Sequence, residues 1–142
     1  MKRKQSVMLG VSMICLIVFL GGFYFALSGY RFSYSAYRYV NGTTMTNYSY
    51  VQKRDSITLK FGSFDGRECY SLKLGDSKML NITGEIKEGT LSLSINDSKN
   101  NKIELLNESD IPYELDLSHI DTNKINLVIE GEFSGNLNFN LK

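Results

Sequence analysis

Two patterns of apolar residues divide this chain. Residues 6–27 form an uncharged, almost wholly apolar run of 22 residues. Beyond residue 29 the apolar positions recur at every second residue instead. As a helix the first run is roughly 33 Å long, slightly more than the ~30 Å hydrocarbon core of a bilayer. The second pattern is that of strands with one wet face and one buried face.

The alternation can be followed site by site. Ile57, Leu59 and Phe61 alternate with Thr58 and Lys60, and Asp65 and Gly66 then read as a hairpin turn. Tyr70, Leu72 and Leu74 make the next run, and Gly75 and Asp76 end it. Leu80, Ile82 and Ile86 face one way, with Gly84 as a bulge or close-approach position. Glu88 and Gly89 read as another hairpin turn before Leu91, Leu93 and Ile95. After the polar turn at 96–101, Ile103 and Leu105 resume, and Tyr113, Leu115 and Leu117 follow Pro112. Ile125, Leu127 and Ile129 are expected to turn at Gly131 and Gly135 into Leu137, Phe139 and Leu141, which alternate with Asn136, Asn138 and Asn140. Short strands spaced by turns, with no intervening helix, predict an all-β antiparallel fold, a sandwich or a closed barrel. One sheet alone would leave its apolar face wet, so two packed sheets, a β-sandwich, are expected.

Residues 30–54 are rich in tyrosine, with a first strand over 32–40, a loop over 41–47 and a second strand or connector over 48–53. Two readings stand side by side here: an edge strand near the membrane with its hydroxyls at headgroup level, or a sugar- or peptide-binding surface. The predicted organisation is therefore a basic tail at 1–5, a transmembrane helix at 6–28, a tyrosine-rich membrane-proximal segment at 29–55 and a sandwich domain at 56–142.

Charge orients this arrangement. Of 16 Lys and Arg, Lys2, Arg3 and Lys4 precede the apolar run, leaving 13 basic against 15 acidic residues in the remainder. The basic tail is expected in the cytoplasm by the positive-inside rule, placing the rest of the chain outside the cell membrane as a single-pass signal anchor. Without a basic stripe to neutralise phosphates, a nucleic-acid partner is not expected. A cleaved signal peptide ending near Ala26, Leu27 and Ser28, giving a secreted protein, is the alternative, although the apolar run is longer than such regions usually are. Lipidation at Cys15 does not fit, because Ile14 is bulky and residues 16–19 stay apolar. The abundance of Asn, Lys, Ile and Ser is that of a low-GC bacterium.

No motif carries chemistry, and no catalytic, cofactor-binding or metal residue is expected. His119 is the only histidine, and Ser118 and Asp121 are merely its neighbours in sequence, whereas a triad is assembled from separate elements. Acidic residues gather at Glu104, Glu108, Asp110, Glu114, Asp116 and Asp121, but their spacing matches no calcium loop and alternation puts Glu114 and Asp116 on a wet face. Cys69 is expected to be a small buried residue in a strand, since Glu68 and Tyr70 supply neither base nor positive charge. Five Asn-x-Ser/Thr tripeptides, at Asn41, Asn47, Asn81, Asn96 and Asn107, read as turn chemistry.

The run over 64–142 resembles the small jelly-roll accessory domains of bacterial exported proteins, of the pre-peptidase C-terminal type. The matching residues are Phe64-Asp65-Gly66 before a strand, Leu74-Gly75-Asp76 before Leu80-Asn81-Ile82, the stretch 89–97 and the final hairpin over 131–141. The turn at Lys99, Asn100 and Asn101 lacks the glycine usual there, and the last strands lack the glycine-tyrosine pair. The resemblance implies a jelly-roll fold and extracytoplasmic placement, and no activity. The expected role is a non-enzymatic binding or accessory module of the cell envelope, with the bilayer as partner of residues 6–28 and an envelope protein or a glycan as ligand. A subunit of a larger membrane complex, packing through Gly21 and Gly22, is the other class of role.

Overall fold

The computed structural model describes residues 30–142; the expected basic tail, transmembrane helix and Cys15 lie outside the described residues. Seven strands follow in order: β1 (Arg31–Val40), β2 (Thr43–Gln52), β3 (Ser56–Lys73), β4 (Met79–Asn96), β5 (Lys102–Asn107), β6 (Tyr113–Asp116) and β7 (Lys124–Leu141). A 3-10 turn, Glu108–Asp110, precedes β6. All pairings are antiparallel, and hydrogen bonds link the strands in the order β1-β2-β3-β7-β4-β5, with β6 on the first part of β4.

The antiparallel all-β expectation holds, with two corrections. Three of the expected hairpins are not turns: β3, β4 and β7 each run unbroken for 18 residues. Asp65 and Gly66 pair with Glu132 and Gly131, and Gly89 pairs with Phe133, so the chain continues through all three sites. The expected loop over 41–47 is a tight turn at Asn41 and Gly42, after which β2 begins at Thr43. β1 and β2 extend the same sheet as the rest.

The second correction concerns the layers. A single hydrogen-bonded sheet creases across its strands and folds over. Along β7 the inward residues keep odd numbers throughout, from Ile125 to Leu141. β3 gains one residue against β7 between Phe61 and Phe64, and β4 gains one between Ile86 and Glu88. Each bulge switches parity, so Ile57 and Leu59 lie on the same face as Tyr70 and Leu72, and Leu80 and Ile82 on the same face as Leu91 and Leu93. Both bulges meet β7 at Gly135, the last residue in register with Phe61 on one side and with Ile86 on the other. At φ +147°, with a Cβ that would lie 2.1 Å from the Glu85 carbonyl oxygen, only glycine fits there. The crease continues into β2 at Asn47, whose φ is +44° and whose side chain packs on Gly62.

Aromatic rings fill the inside of the crease. Phe61 meets Phe64 at 5.1 Å and Phe133 at 5.4 Å, both edge-on, while Phe64 and Phe133 lie 4.9 Å apart. The core that results is one continuous cluster drawn from both halves of the folded sheet. Its polar intruders are satisfied: buried Thr43 donates to the Arg67 carbonyl at 2.5 Å and accepts from the Arg67 N–H at 2.9 Å.

Candidate functional site

β1 is an edge strand, and alternation assigns its side chains to two faces. Opposite Met45 and Tyr48, which are fully buried, stand Arg38 and Ser35 on the inward face. On the outward face, opposite Val51, Ser49, Thr46 and Thr44, stand Phe32, Tyr34, Tyr37 and Tyr39. These four aromatics are between 61 and 64% exposed. The shift from even to odd numbering between Tyr34 and Tyr37 falls where β1 crosses the crease, so Phe32 and Tyr34 stand on the outward side of one half of the folded sheet and Tyr37 and Tyr39 on that of the other. Leu105, 47% exposed, is the one other exposed large apolar side chain among the described residues; Leu106 takes the buried position of β5 in its place, against the expected alternation.

The outward face continues across the sheet in register. Tyr34 lies in a cross-strand row with Ser49, Lys60, Asn136 and Glu85, and Phe32 in a row with Val51, Thr58, Asn138 and Thr83. Directly opposite residues of an antiparallel pair project from the same face, so each row is a line of side chains on one surface. The surface thus has an aromatic rim on β1 and a polar floor of amides, hydroxyls, Lys60 and Glu85 on β3, β7 and β4.

The inward face of β1 holds a polar cluster that the sequence did not reveal. The Arg38 guanidinium reaches Glu68 at 3.5 Å and sits 5.3 Å from the centre of the Tyr48 ring. The Tyr70 hydroxyl donates to the Tyr48 hydroxyl at 3.3 Å. Burial raises the pKa of both Tyr70 and Tyr48 above the ordinary phenol value, so both stay neutral over any physiological range. The only signal of this cluster in the sequence is an arginine at an inward position among tyrosines. Its chemistry is structural: it closes the core beneath the edge strand.

The residues weighed for catalysis are not brought together. His119 is exposed in the turn after β6 and makes no hydrogen bond with Ser118 or Asp121 among the described residues. Ser118 instead donates to Asp116, which holds that carboxyl below the ordinary carboxylate pKa. The acidic residues are dispersed and occupied. Glu104 accepts from the Tyr113 hydroxyl at 3.0 Å, Glu108 from the Leu91 N–H at 3.0 Å, and Asp110 from the Asn107 N–H at 2.8 Å. Among the described residues no three His, Cys, Asp or Glu side chains are grouped to hold a metal ion. Two open depressions, of about 420 and 400 Å³, flank Glu108 on the β4 side, away from the aromatic rim.

Cys69 is exposed, against expectation. Tyr70 and Leu72 take the inward positions of β3, so alternation turns Cys69 outward, beside Val128 of β7. Desolvation and the neighbouring Glu68 carboxylate raise its pKa, which keeps the thiol protonated and a poor nucleophile.

No family model matches the chain, and no curated protein matches it. Among solved structures, the cupin domain of Drosophila melanogaster CENP-C is similar at 10% identity and a TM-score of 0.35, over 78% of this chain and 75% of that one. TmCBM61, solved in complex with β-1,4-galactotriose, is similar at 13% identity and a TM-score of 0.31, over 81% and 88% of the two chains. No comparison singles out the pre-peptidase C-terminal type.

Proposed function

We propose that this protein is a non-catalytic binding or accessory module of the cell envelope, tethered at the outer face of the membrane by residues 6–28. The observation that carries the binding role is the row of four exposed aromatics on the outward face of β1. A fold that buries Phe61, Phe64, Phe133 and Phe139 keeps these rings in water, where exposed apolar area is a liability unless something covers it. Their position on an edge strand leaves them accessible from the side as well as from above. The tether rests on the length of the uncharged run and on the basic residues that precede it. The jelly-roll accessory reading of residues 64–142 accords with such a role.

The test is fractionation of the native full-length chain. The intact polypeptide is expected in the membrane fraction, resistant to alkaline carbonate, with its C-terminal domain digested by protease added to intact cells. Recovery of the uncleaved chain from the cytosol would overturn the tether. A mature N-terminus near residue 29, read by mass spectrometry, would convert the anchored module into a secreted one.

A further inference from the structure

We infer that the outward face of the half-sheet bearing Phe32 and Tyr34 is a platform for a neutral, extended glycan. This inference rests on the binding-module reading and names its ligand class. The first observation is a set of unused amides. Asn136, Asn138 and Asn140 project from the outward face of β7 at every second position, and none of the three side chains makes a hydrogen bond within the described residues. Asn126, on the same strand beyond the crease, is by contrast held by Ser71, by Asn100 and by the Asp97 carbonyl. A free carboxamide offers two donors and one acceptor, enough to grip a pair of neighbouring sugar hydroxyls.

The second observation is register. Asn136 shares its row with Tyr34, and Asn138 shares its row with Phe32. From β1 to β7 is three strand spacings, about 14 Å, which spans roughly three pyranose units lying across the strands. The apolar C–H face of a sugar can stack on the aromatic rim while its hydroxyls reach the amides. Because the face is open and not a closed cavity, it fits the interior of a chain and does not select a chain end.

Charge decides the class. The Phe32 row carries no charged residue, and the Tyr34 row carries one of each sign, Lys60 and Glu85, on either side of Asn136. The surface thus has no net field to draw a polyanion or a polycation. Seating it against lipid tails would strip water from the free amides with nothing to replace it. A polyhydroxyl ligand replaces those hydrogen bonds.

The test uses the full chain in lipid nanodiscs. One of the nine tyrosines, Tyr34, stands on the face and the chain has no tryptophan, so the ligand-induced change in emission that Tyr34→Phe removes reports on the face. The probes are the β-1,4-linked hexamers of glucose and of N-acetylglucosamine, with insoluble cellulose and chitin for pull-down. Saturable binding to one of these is expected, insensitive to salt, and weakened about tenfold by Tyr34→Ala and by Asn138→Ala. Tyr34→Phe, which keeps the ring, retains binding, and so does Tyr37→Ala, across the crease. Near-ultraviolet circular dichroism of each variant checks that the fold is kept. Absence of binding to all four probes overturns the proposal, as does binding that both alanine variants leave unchanged. Quenching of tyrosine emission by brominated nanodisc lipid that is lost in Tyr34→Ala makes the face a membrane contact and also overturns it. Capture of an envelope protein by a photocrosslinker at position 34, without glycan binding, sinks the ligand class and leaves the module reading standing. A cytosolic location removes the module reading itself.

Discussion

The ring of Tyr50 stacks on the ring of Tyr70, with centroids 5.6 Å apart and planes inclined by 24°. Across the β2–β3 ladder, however, Tyr50 stands opposite Leu59, which on a straight strand is about 36 Å from Tyr70. The contact exists because β3 turns back over itself at its bulge. Gln52 repeats the relationship: it pairs with Ile57 in the ladder, yet its side-chain amide donates to the Ser71 carbonyl at 3.1 Å. These contacts join the two layers of the folded sheet.

The same tyrosines set the alkaline limit of stability. Burial raises the pKa of Tyr70, Tyr48 and Tyr50 above 10.0, and the hydrogen bond to Tyr48 adds to the shift at Tyr70. A raised folded pKa contributes stability that is complete below the unfolded value and is lost as pH rises toward the folded one. Urea midpoints are therefore expected to hold level to about pH 9 and to fall from about pH 10 upward. Tyr70→Phe should flatten that fall; an equally steep decline in the variant would show that Tyr70 is not its source.

The crease depends on Gly135. A Cβ there would lie 2.1 Å from a backbone oxygen at a φ of +147°, so Gly135→Ala forces the ladder apart and should cost about 3 kcal/mol or more in urea unfolding. Gly75 is the control. Its φ is +55° but no atom lies within 4 Å of the added Cβ, so Gly75→Ala should cost only about 1 kcal/mol.

Phe133 touches both rings that flank the β3 bulge. Phe133→Ala leaves a void on the concave side of the crease, where collapse would require both layers to shift. A loss of about 3–5 kcal/mol is expected from denaturant midpoints. Tyr39→Ala, on the exposed rim, should stay within about 0.5 kcal/mol of the parent.

Cys69 should react with a thiol reagent in the folded protein without denaturant, because its side chain is exposed. Its raised pKa makes the reaction slow at pH 7, with a rate that climbs as pH passes above the ordinary thiol range. Protection until global unfolding would return Cys69 to the interior.

What was legible from residue order was the local alternation. Spacing alone assigns most of the inward residues of β3, β4 and β7, and Asn136, Asn138 and Asn140 as outward neighbours, but not Phe64 and Phe133, which lie at the supposed turns. For Cys69 the apolar character of a thiol suggests burial, but parity with the inward Tyr70 beside it turns the side chain outward. The three supposed hairpins failed for a different reason. Asp65 with Gly66, and Glu88 with Gly89, have turn composition, but glycine also permits close approach inside a strand. Which of the two occurs depends on the strand alongside. Gly66 lies against Gly131, and Gly89 against Phe133, residues distant in the chain.

The aromatic rim shows the same boundary between local and non-local information. The tyrosines were visible, and their shift in parity between Tyr34 and Tyr37 was present in the sequence. That this shift marks a crease, and that Tyr34 shares a row with Asn136, emerged only when β2 and β3 were laid between them. Alternation is written in neighbouring residues, because each peptide unit reverses the side-chain direction. Register, the crease and the composition of a face belong to strands that meet only after the chain has folded, and they are decided by which bulges and glycines come level with one another.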